Sequence, residues 1–411
     1  MYFIKAPTAL KAAILLPASK SISNRVLIIN ALSKHPKPIH NLSVCDDTKV
    51  VINALVESNL VIDVGAAGTA MRFLTAYLSG QPGDYLLTGT ERMKNRPIKI
   101  LVDALRTVGA QIEYKEKDGY PPLQITGQPL KGGEIELDGS ISSQYISALL
   151  MIAPTMTNGL RLHLAGHIIS KSYINLTVQL MRQFGVIVFN EGATFAVLPQ
   201  QYNMNDDFIV EADWSAASYW YEMVALSNDI NASVTLKGLW PDSLQGDASI
   251  AALFDPLGVK TSFSPLGVTL TKKERTVESP LQLDFTSMPD MAQTMAVTCV
   301  MLRIPFRFTG LQSLKIKETD RLLALQTEIR KLGYLLNIHH DNTLIWSGAG
   351  CEAETAPVIA TYEDHRMAMA FTPVTLCTGD GISITDPHVV SKSYPSFWEN
   401  LQKAAFLITE R

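Results

Sequence analysis

The stretch GSISSQYISALLM, Gly139 to Met151, opens with small and polar residues and passes into an apolar run of helical period. The same order recurs in GAAGTAMRFLTAYL (Gly65 to Leu78), EADWSAASYWYEMVAL (Glu211 to Leu226), TSMPDMAQTMAVTCVML (Thr286 to Leu302) and YEDHRMAMAFTPVTL (Tyr362 to Leu376). Counted from Gly68, Ser142, Trp214, Pro289 and Asp364, the spacings are 74, 72, 75 and 75 residues. A period of that constancy is the signature of a structural repeat. Each copy also contains a second helical run that ends alike, in LVDALRTVGAQIEY, LTVQLMRQFGVIVF, IAALFDPLGVKTSF and LQTEIRKLGYLLNI. A glycine after the last helical turn, followed by β-branched and apolar residues, reads as a helix stop and a new strand. Strand runs such as GLRLHLAG, NASVTLKGL and IPFRFTGL alternate with the helices, so each copy is a small α/β unit. LPASKSISNR, Leu16 to Arg25, opens a further copy and brings the number to six. That first copy is short, since Lys20 and Gly68 are only 48 residues apart, and it is expected to lack a hairpin.

Composition narrows the function. The chain has 411 residues, 47% of them hydrophobic, enough for two domains with buried cores. A formal charge of −4 gives no excess of the kind that drives nucleic-acid binding. The segment AAILLPA is too short for a signal peptide, and no apolar run approaches the roughly 18 residues of a membrane helix. Cys45, Cys299, Cys351 and Cys377 show no metal or disulfide spacing and suit a reducing, cytoplasmic setting. The polar stretch QQYNMNDDFIVEADW, between the third and fourth copies, places a hinge near Asp213.

In every copy the polar motif precedes a helix, where unpaired backbone N–H groups and the helix dipole favour anions. Cations stand at or beside these motifs: Lys20 and Arg25, Arg72, Arg96 in ERMKNRP, Lys317 and Arg321 in IKETDR, Arg366 in DHR, and Lys392 in VVSKSYP. Arginine suits bidentate recognition of carboxylate or phosphate, and lysine supplies a point charge that can also carry a proton. Taken singly, a serine at a helix start is usually a cap, and a pair such as Glu318 with Arg321 is usually a weak surface ion pair. Their recurrence at matched positions points instead to an anion site. Asp290 and Glu318 lie among the cations and each is read as opening a helix, where acid–base work suits them; neighbouring charge would depress their pKa values and burial would raise them. No GxSxG, HExxH, GxGxxG or P-loop motif is present.

KSISNR, GTAMR, RMKNRP, GSISSQ, KETDR, DHRMAM and SKSYP, in that order from Lys20 to about Trp398, resemble the motif set of the 3-phosphoshikimate 1-carboxyvinyltransferase family, the 5-enolpyruvylshikimate-3-phosphate synthases. The resemblance implies an α/β enolpyruvyl transferase fold of six βαβαββ units in two domains, joined by a double crossover, with the ligand cleft between them. The expected division is residues 1–17 with 214–411, and 18–213. It implies shikimate 3-phosphate contacts at Lys20, Ser21, Arg25, Ser142, Ser143, Gln144, Ser170, Tyr173, Asp290, Ser313 and Lys317. Phosphoenolpyruvate contacts are implied at Lys20, Gly68, Arg96, Gln144, Arg321, Arg366 and Lys392. Asp290, Glu318 and Lys20 take the proton-transfer positions, and the chemistry needs neither metal nor organic cofactor. The implied partners are the two small substrates alone, with no nucleic acid and no membrane, on a monomeric cytoplasmic enzyme.

Two departures from the family pattern stand out. Ala66 occupies the position where the family usually has an asparagine that contacts ligand, and the first unit is about 25 residues short between VVINALVE and VIDVGAAG. The sister family, UDP-N-acetylglucosamine 1-carboxyvinyltransferase, is the alternative, but its members typically carry a mobile-loop cysteine that has no counterpart near ERMKNRP. A non-catalytic anion-binding module is a second alternative, and it would not need Asp290 and Glu318 among its cations.

Overall fold

The structure, a computed structural model, describes residues 1–56 and 60–411. It contains two compact units, Met1–Pro17 with Glu211–Arg411, and Ala18–Val210. The chain therefore passes between units twice, at 17/18 and at 210/211.

The repeat is visible in strand order. In one sheet, Val61–Asp63 runs parallel to Gly83–Thr88, which pairs antiparallel with Leu123–Gly127, itself antiparallel to Gln111–Tyr114. Four other sheets among the described residues repeat this pattern of one parallel pair followed by two antiparallel strands, which form a hairpin in three of them and are Tyr2–Lys5 and Leu407–Glu410, from the two ends of the chain, in the fourth. They are built on the parallel pairs Gly133–Asp138 with Leu160–Ala165, Lys11–Leu15 with Ser233–Lys237, Leu281–Asp284 with Phe306–Thr309, and Val358–Ile359 with Ile382–Ile384. The runs read as strands in GLRLHLAG, NASVTLKGL and IPFRFTGL occupy the same second place in three of these sheets.

The sixth sheet is the short copy. Among the described residues it consists of the parallel pair Phe208–Ile209 with Ile39–His40 and no hairpin. Its helix Asp46–Val56 is followed almost at once by Val61–Asp63, with residues 57–59 lying outside the described part. The two crossings also exchange strands. Lys11–Leu15 precedes the first copy in sequence but pairs with Ser233–Lys237, whereas Phe208–Ile209 precedes the fourth copy and pairs with Ile39–His40.

The first helix of each copy is central and the second is peripheral, as their sequences require. Every residue of Trp214–Leu226 except Ser215 is buried, and so is every residue of Ala292–Met301 except Met301. A helix apolar all round has to lie in the core. By contrast Lys99–Thr107 buries only Leu101, Val102, Ala104 and Leu105. The stop glycines Gly109, Gly185, Gly258 and Gly333 all have left-handed φ, from 81° to 104°. Among the described residues no helix is long and apolar enough to cross a membrane.

Candidate active site

In the unit formed by residues 18–210, four helices bring their first turns together. Ser19 caps helix Lys20–Ala31 by accepting from the Ile22 N–H, and Ser142 caps Ser143–Ile152 by accepting from the Gln144 N–H. The Gln144 side chain donates to Thr69 Oγ1 at 3.1 Å, linking that helix to Gly68–Ser79. Gly68 is glycine for a reason: a Cβ there would stand 2.4 Å from one terminal nitrogen of Arg96 and 3.1 Å from one of Arg72. Lys20 Nζ lies 3.3 Å from the buried carboxylate of Asp47.

Arg25 is the electrostatic feature of this unit. Its guanidinium is 3% exposed and donates to Thr177 Oγ1 at 2.7 Å, the Ser21 carbonyl at 2.9 Å, Ser147 Oγ at 3.3 Å and the Tyr173 carbonyl at 3.4 Å. These partners are neutral oxygens. Burial pulls its pKa down to about 10, against the opposing charge interaction with the Tyr173 side chain. A buried cation surrounded by dipoles is poised for an anion. Ser170 stands beside it at the start of helix Lys171–Gln183, in the left-handed region at φ 54° and 5% exposed. A non-glycine residue held there is strained, and such residues concentrate at functional positions.

In the other unit, Asp290, Lys317, Glu318, Arg321, Arg366 and Lys392 form one cluster. Arg321, 2% exposed along its side chain, donates to Asp364 Oδ2 at 2.7 Å, Asp290 Oδ1 at 2.8 Å and Glu318 Oε2 at 2.8 Å. Lys392 Nζ is 3.0 Å from the second oxygen of Glu318. Lys317 Nζ is 3.6 Å from Asp290 Oδ1, and Arg366 is 3.3 Å from Asp290 Oδ2. Four cations thus meet three carboxylates. Ser313 lies in the 3-10 turn Gln312–Ile316 just before Lys317, and its hydroxyl is buried.

The balance at Asp290 is resolved in favour of charge. Burial pushes its carboxyl up, but Lys317, Arg366 and Arg321 together hold it well below the usual carboxylate range. Burial pulls Lys317 down, with Asp290 opposing that shift. The same burial would lower Arg321, yet Asp364, Glu318 and Asp290 hold it above its ordinary value.

One sequence expectation needs correction. Glu318 does not open a helix: the helix is Arg321–Lys331, capped by Asp320, and Glu318 sits in the bend before it. Its pairing with Arg321 is partly buried, because the bend folds back onto the guanidinium. Sequence reasoning also passed over Asp364, which is fully buried, caps helix His365–Phe371 through the Arg366 N–H and anchors Arg321. The signal was available, since Asp213 caps Trp214–Leu226 in the matching place of another copy.

The whole chain superposes on an EPSP synthase from Acinetobacter baumannii, with a TM-score of 0.77 at 20% identity, covering 100% of this chain and 99% of that one. The enolpyruvyl transferase NikO from Streptomyces tendae gives a TM-score of 0.74 at 16% identity over 99% and 98% of the two chains. The fold is that of the enolpyruvyl transferases. Within that class the sequence is more specific: the model of the family EPSP synthase (3-phosphoshikimate 1-carboxyvinyltransferase) matches residues 4–58 and 50–401. The 3-phosphoshikimate 1-carboxyvinyltransferase of Bacteroides fragilis is 56% identical over 406 residues, 98% of each chain, and that of a Sulfurovum species is 38% identical over 94% of this chain and 95% of its own. The chain belongs to the EPSP synthase family, and is thereby an enzyme of the transferase class.

Proposed function

We propose that the protein transfers the enolpyruvyl group of phosphoenolpyruvate to the 5-hydroxyl of shikimate 3-phosphate and releases phosphate. The observation that carries this reading is the setting of Asp290 and Glu318, two partly buried carboxylates each held between cations, in a chain of this family. We assign the shikimate 3-phosphate contacts to Lys20, Ser21, Arg25, Ser142, Ser143, Gln144, Ser170, Tyr173, Asp290, Ser313 and Lys317. Lys20, Gly68, Arg96, Gln144, Arg321, Arg366 and Lys392 are assigned to phosphoenolpyruvate. We take the protein to be a monomeric enzyme of the cytoplasm.

In this scheme the 5-hydroxyl oxygen attacks C2 of phosphoenolpyruvate and its proton passes to Asp290, while Glu318 or Lys20 protonates C3. The tetrahedral adduct then loses phosphate as a C3 proton is removed, which restores the double bond. Asp290 in its cationic setting is a weak base. An anion taken up at Arg366 or Lys317 reduces the positive field on Asp290 and raises its basicity, so the base is strengthened when the substrates are in place. The cations also offset the repulsion between two polyanionic substrates held side by side.

Asp290→Asn and Glu318→Gln keep size and polarity and remove the titrating group. Each is expected to lower kcat by about a hundredfold or more, with directly measured substrate dissociation constants changing by less than about tenfold. Near-native turnover in both variants would reassign the two carboxylates to structural ion pairs.

A further inference from the structure

Asp247 lies outside the residues assigned above, yet it is joined to them. It is 4% exposed in the turn Gly246–Ser249, and Ser215 Oγ donates to its Oδ2. One Arg366 nitrogen in turn lies 3.4 Å from Ser215 Oγ and 3.3 Å from Asp290 Oδ2, while the other lies 3.4 Å from the Asp290 carbonyl. The path Asp247, Ser215, Arg366, Asp290 is continuous.

The turn that presents Asp247 is locked in place. Gln245 Nε2 donates to Glu211 Oε2 and to the Ala212 carbonyl, both at 2.8 Å, and Gln245 Oε1 accepts from the Trp214 N–H at 3.1 Å. Glu211 also accepts from Trp214 Nε1 and the Trp240 N–H, both at 2.9 Å, and from Ser243 Oγ at 2.6 Å. A scaffold of this kind fixes the direction of the Asp247 carboxyl toward Ser215, at the start of helix Trp214–Leu226.

We propose that Asp247 is a positioning residue, which holds Arg366 beside Asp290 through Ser215 and takes up a proton from solvent when an anion occupies Arg366. The proposal rests on the reading of Arg366 as a phosphoenolpyruvate contact. The groups that face Asp247 are Arg366 from helix His365–Phe371, Ser215 and Asp213 from the start of helix Trp214–Leu226, and Asp290 from the turn Pro289–Met291. Burial pushes Asp247 up to about 6, against the opposing pull of Arg366 and Ser215. An anion bound to Arg366 cancels part of that pull, so Asp247 binds a proton more tightly in the complex than in the free enzyme. With Asp247 ionised, four carboxylates balance the four cations of the cluster. With Asp247 neutral, one positive charge remains for the ligand.

Titrating phosphoenolpyruvate calorimetrically into the full-length protein, in buffers of different ionisation enthalpy, counts protons taken up. Uptake is expected just above pH 6 and should fade by about pH 8, as the group leaves its titration range. Asp247→Asn, which keeps an acceptor for Ser215, should abolish it. Asp247→Ala, which also removes the acceptor, should raise KM for phosphoenolpyruvate by about tenfold with little change in kcat, and Asp247→Asn by less than about threefold at pH 6. If the alanine variant does not fold, the asparagine variant decides. No uptake in the unaltered protein, or uptake that persists in Asp247→Asn, overturns the proposal. Asp247-dependent uptake without phosphate release in the presence of shikimate 3-phosphate would overturn the functional reading and leave the role of Asp247 standing.

Discussion

Arg321 and Glu222 show how differently a buried charge can be treated in one protein. Arg321 meets three carboxylates in bonding geometry, and that pairing is what allows an ion of its size to be buried. Glu222 is fully buried in helix Trp214–Leu226, and neither of its carboxyl oxygens has a hydrogen-bond partner in bonding geometry. The nearby Thr298 hydroxyl already donates to the Thr294 carbonyl at 2.7 Å. Burial holds Glu222 protonated by raising its pKa well above the ordinary value. A raised carboxyl pKa in the folded state means that the unfolded chain loses this proton first. The stability associated with Glu222 is therefore fully present below its unfolded pKa of about 4.3 and declines as pH rises toward the folded value. Glu222→Leu should stabilise the protein by about 1–2 kcal/mol at pH 8 and flatten that decline. Urea unfolding at pH 5 and pH 8 measures both, and an unchanged slope between the two would count against it. The motifs made Asp290, Lys317, Arg321, Arg366 and Lys392 legible in the sequence, because each motif sets a charged residue at or beside a short helix or turn. Asp47, Asp247 and Glu222 were not legible, since their roles depend on contacts between elements far apart in the chain.

The recurring element is the second helix with its glycine stop, which turns the chain from helix to hairpin in the same way in four copies. At Gly333 the φ of 93° already strains any side chain, and a Cβ would lie 3.1 Å from Ala353 Cβ and 3.2 Å from the Cys351 carbonyl. Gly333→Ala should therefore destabilise by about 1–3 kcal/mol and lower Tm by several degrees. Thermal unfolding checks this, and an unchanged Tm would remove the conformational argument for all four stops. These stops were readable because they depend on one residue and its local dihedral. So was the missing hairpin of the first copy, since its absence shortens the spacing and leaves, among the described residues, the parallel pair Phe208–Ile209 with Ile39–His40. The bend that carries Glu318 back onto Arg321 was not readable, because helical spacing from Glu318 to Arg321 looks the same whether or not the helix includes both.

At the scale of the whole molecule, the N-terminal 17 residues belong with the C-terminal half. Tyr2–Lys5 fills the middle of a sheet between Ile382–Ile384 and Leu407–Glu410, and Lys11–Leu15 lies beside Ser233–Lys237, with Ile4, Leu10 and Ile14 fully buried. Deleting residues 1–17 should abolish turnover and remove slow hydrogen exchange from residues 211–411, while amides in 18–210 keep their protection; retained protection in 211–411 would show that the N-terminal strands are dispensable. Repetition made the α/β units visible in the sequence, but the exchange of Lys11–Leu15 and Phe208–Ile209 between units entered only through family resemblance, because strand pairing at that distance leaves no local pattern. The central claim is that a chain of this family, with carboxylates set among cations, joins phosphoenolpyruvate to shikimate 3-phosphate. It is tested most directly by phosphate release from phosphoenolpyruvate with each of two acceptors. Stoichiometric release is expected with shikimate 3-phosphate and none above background with UDP-N-acetylglucosamine; release with the second acceptor and not the first would contradict this function.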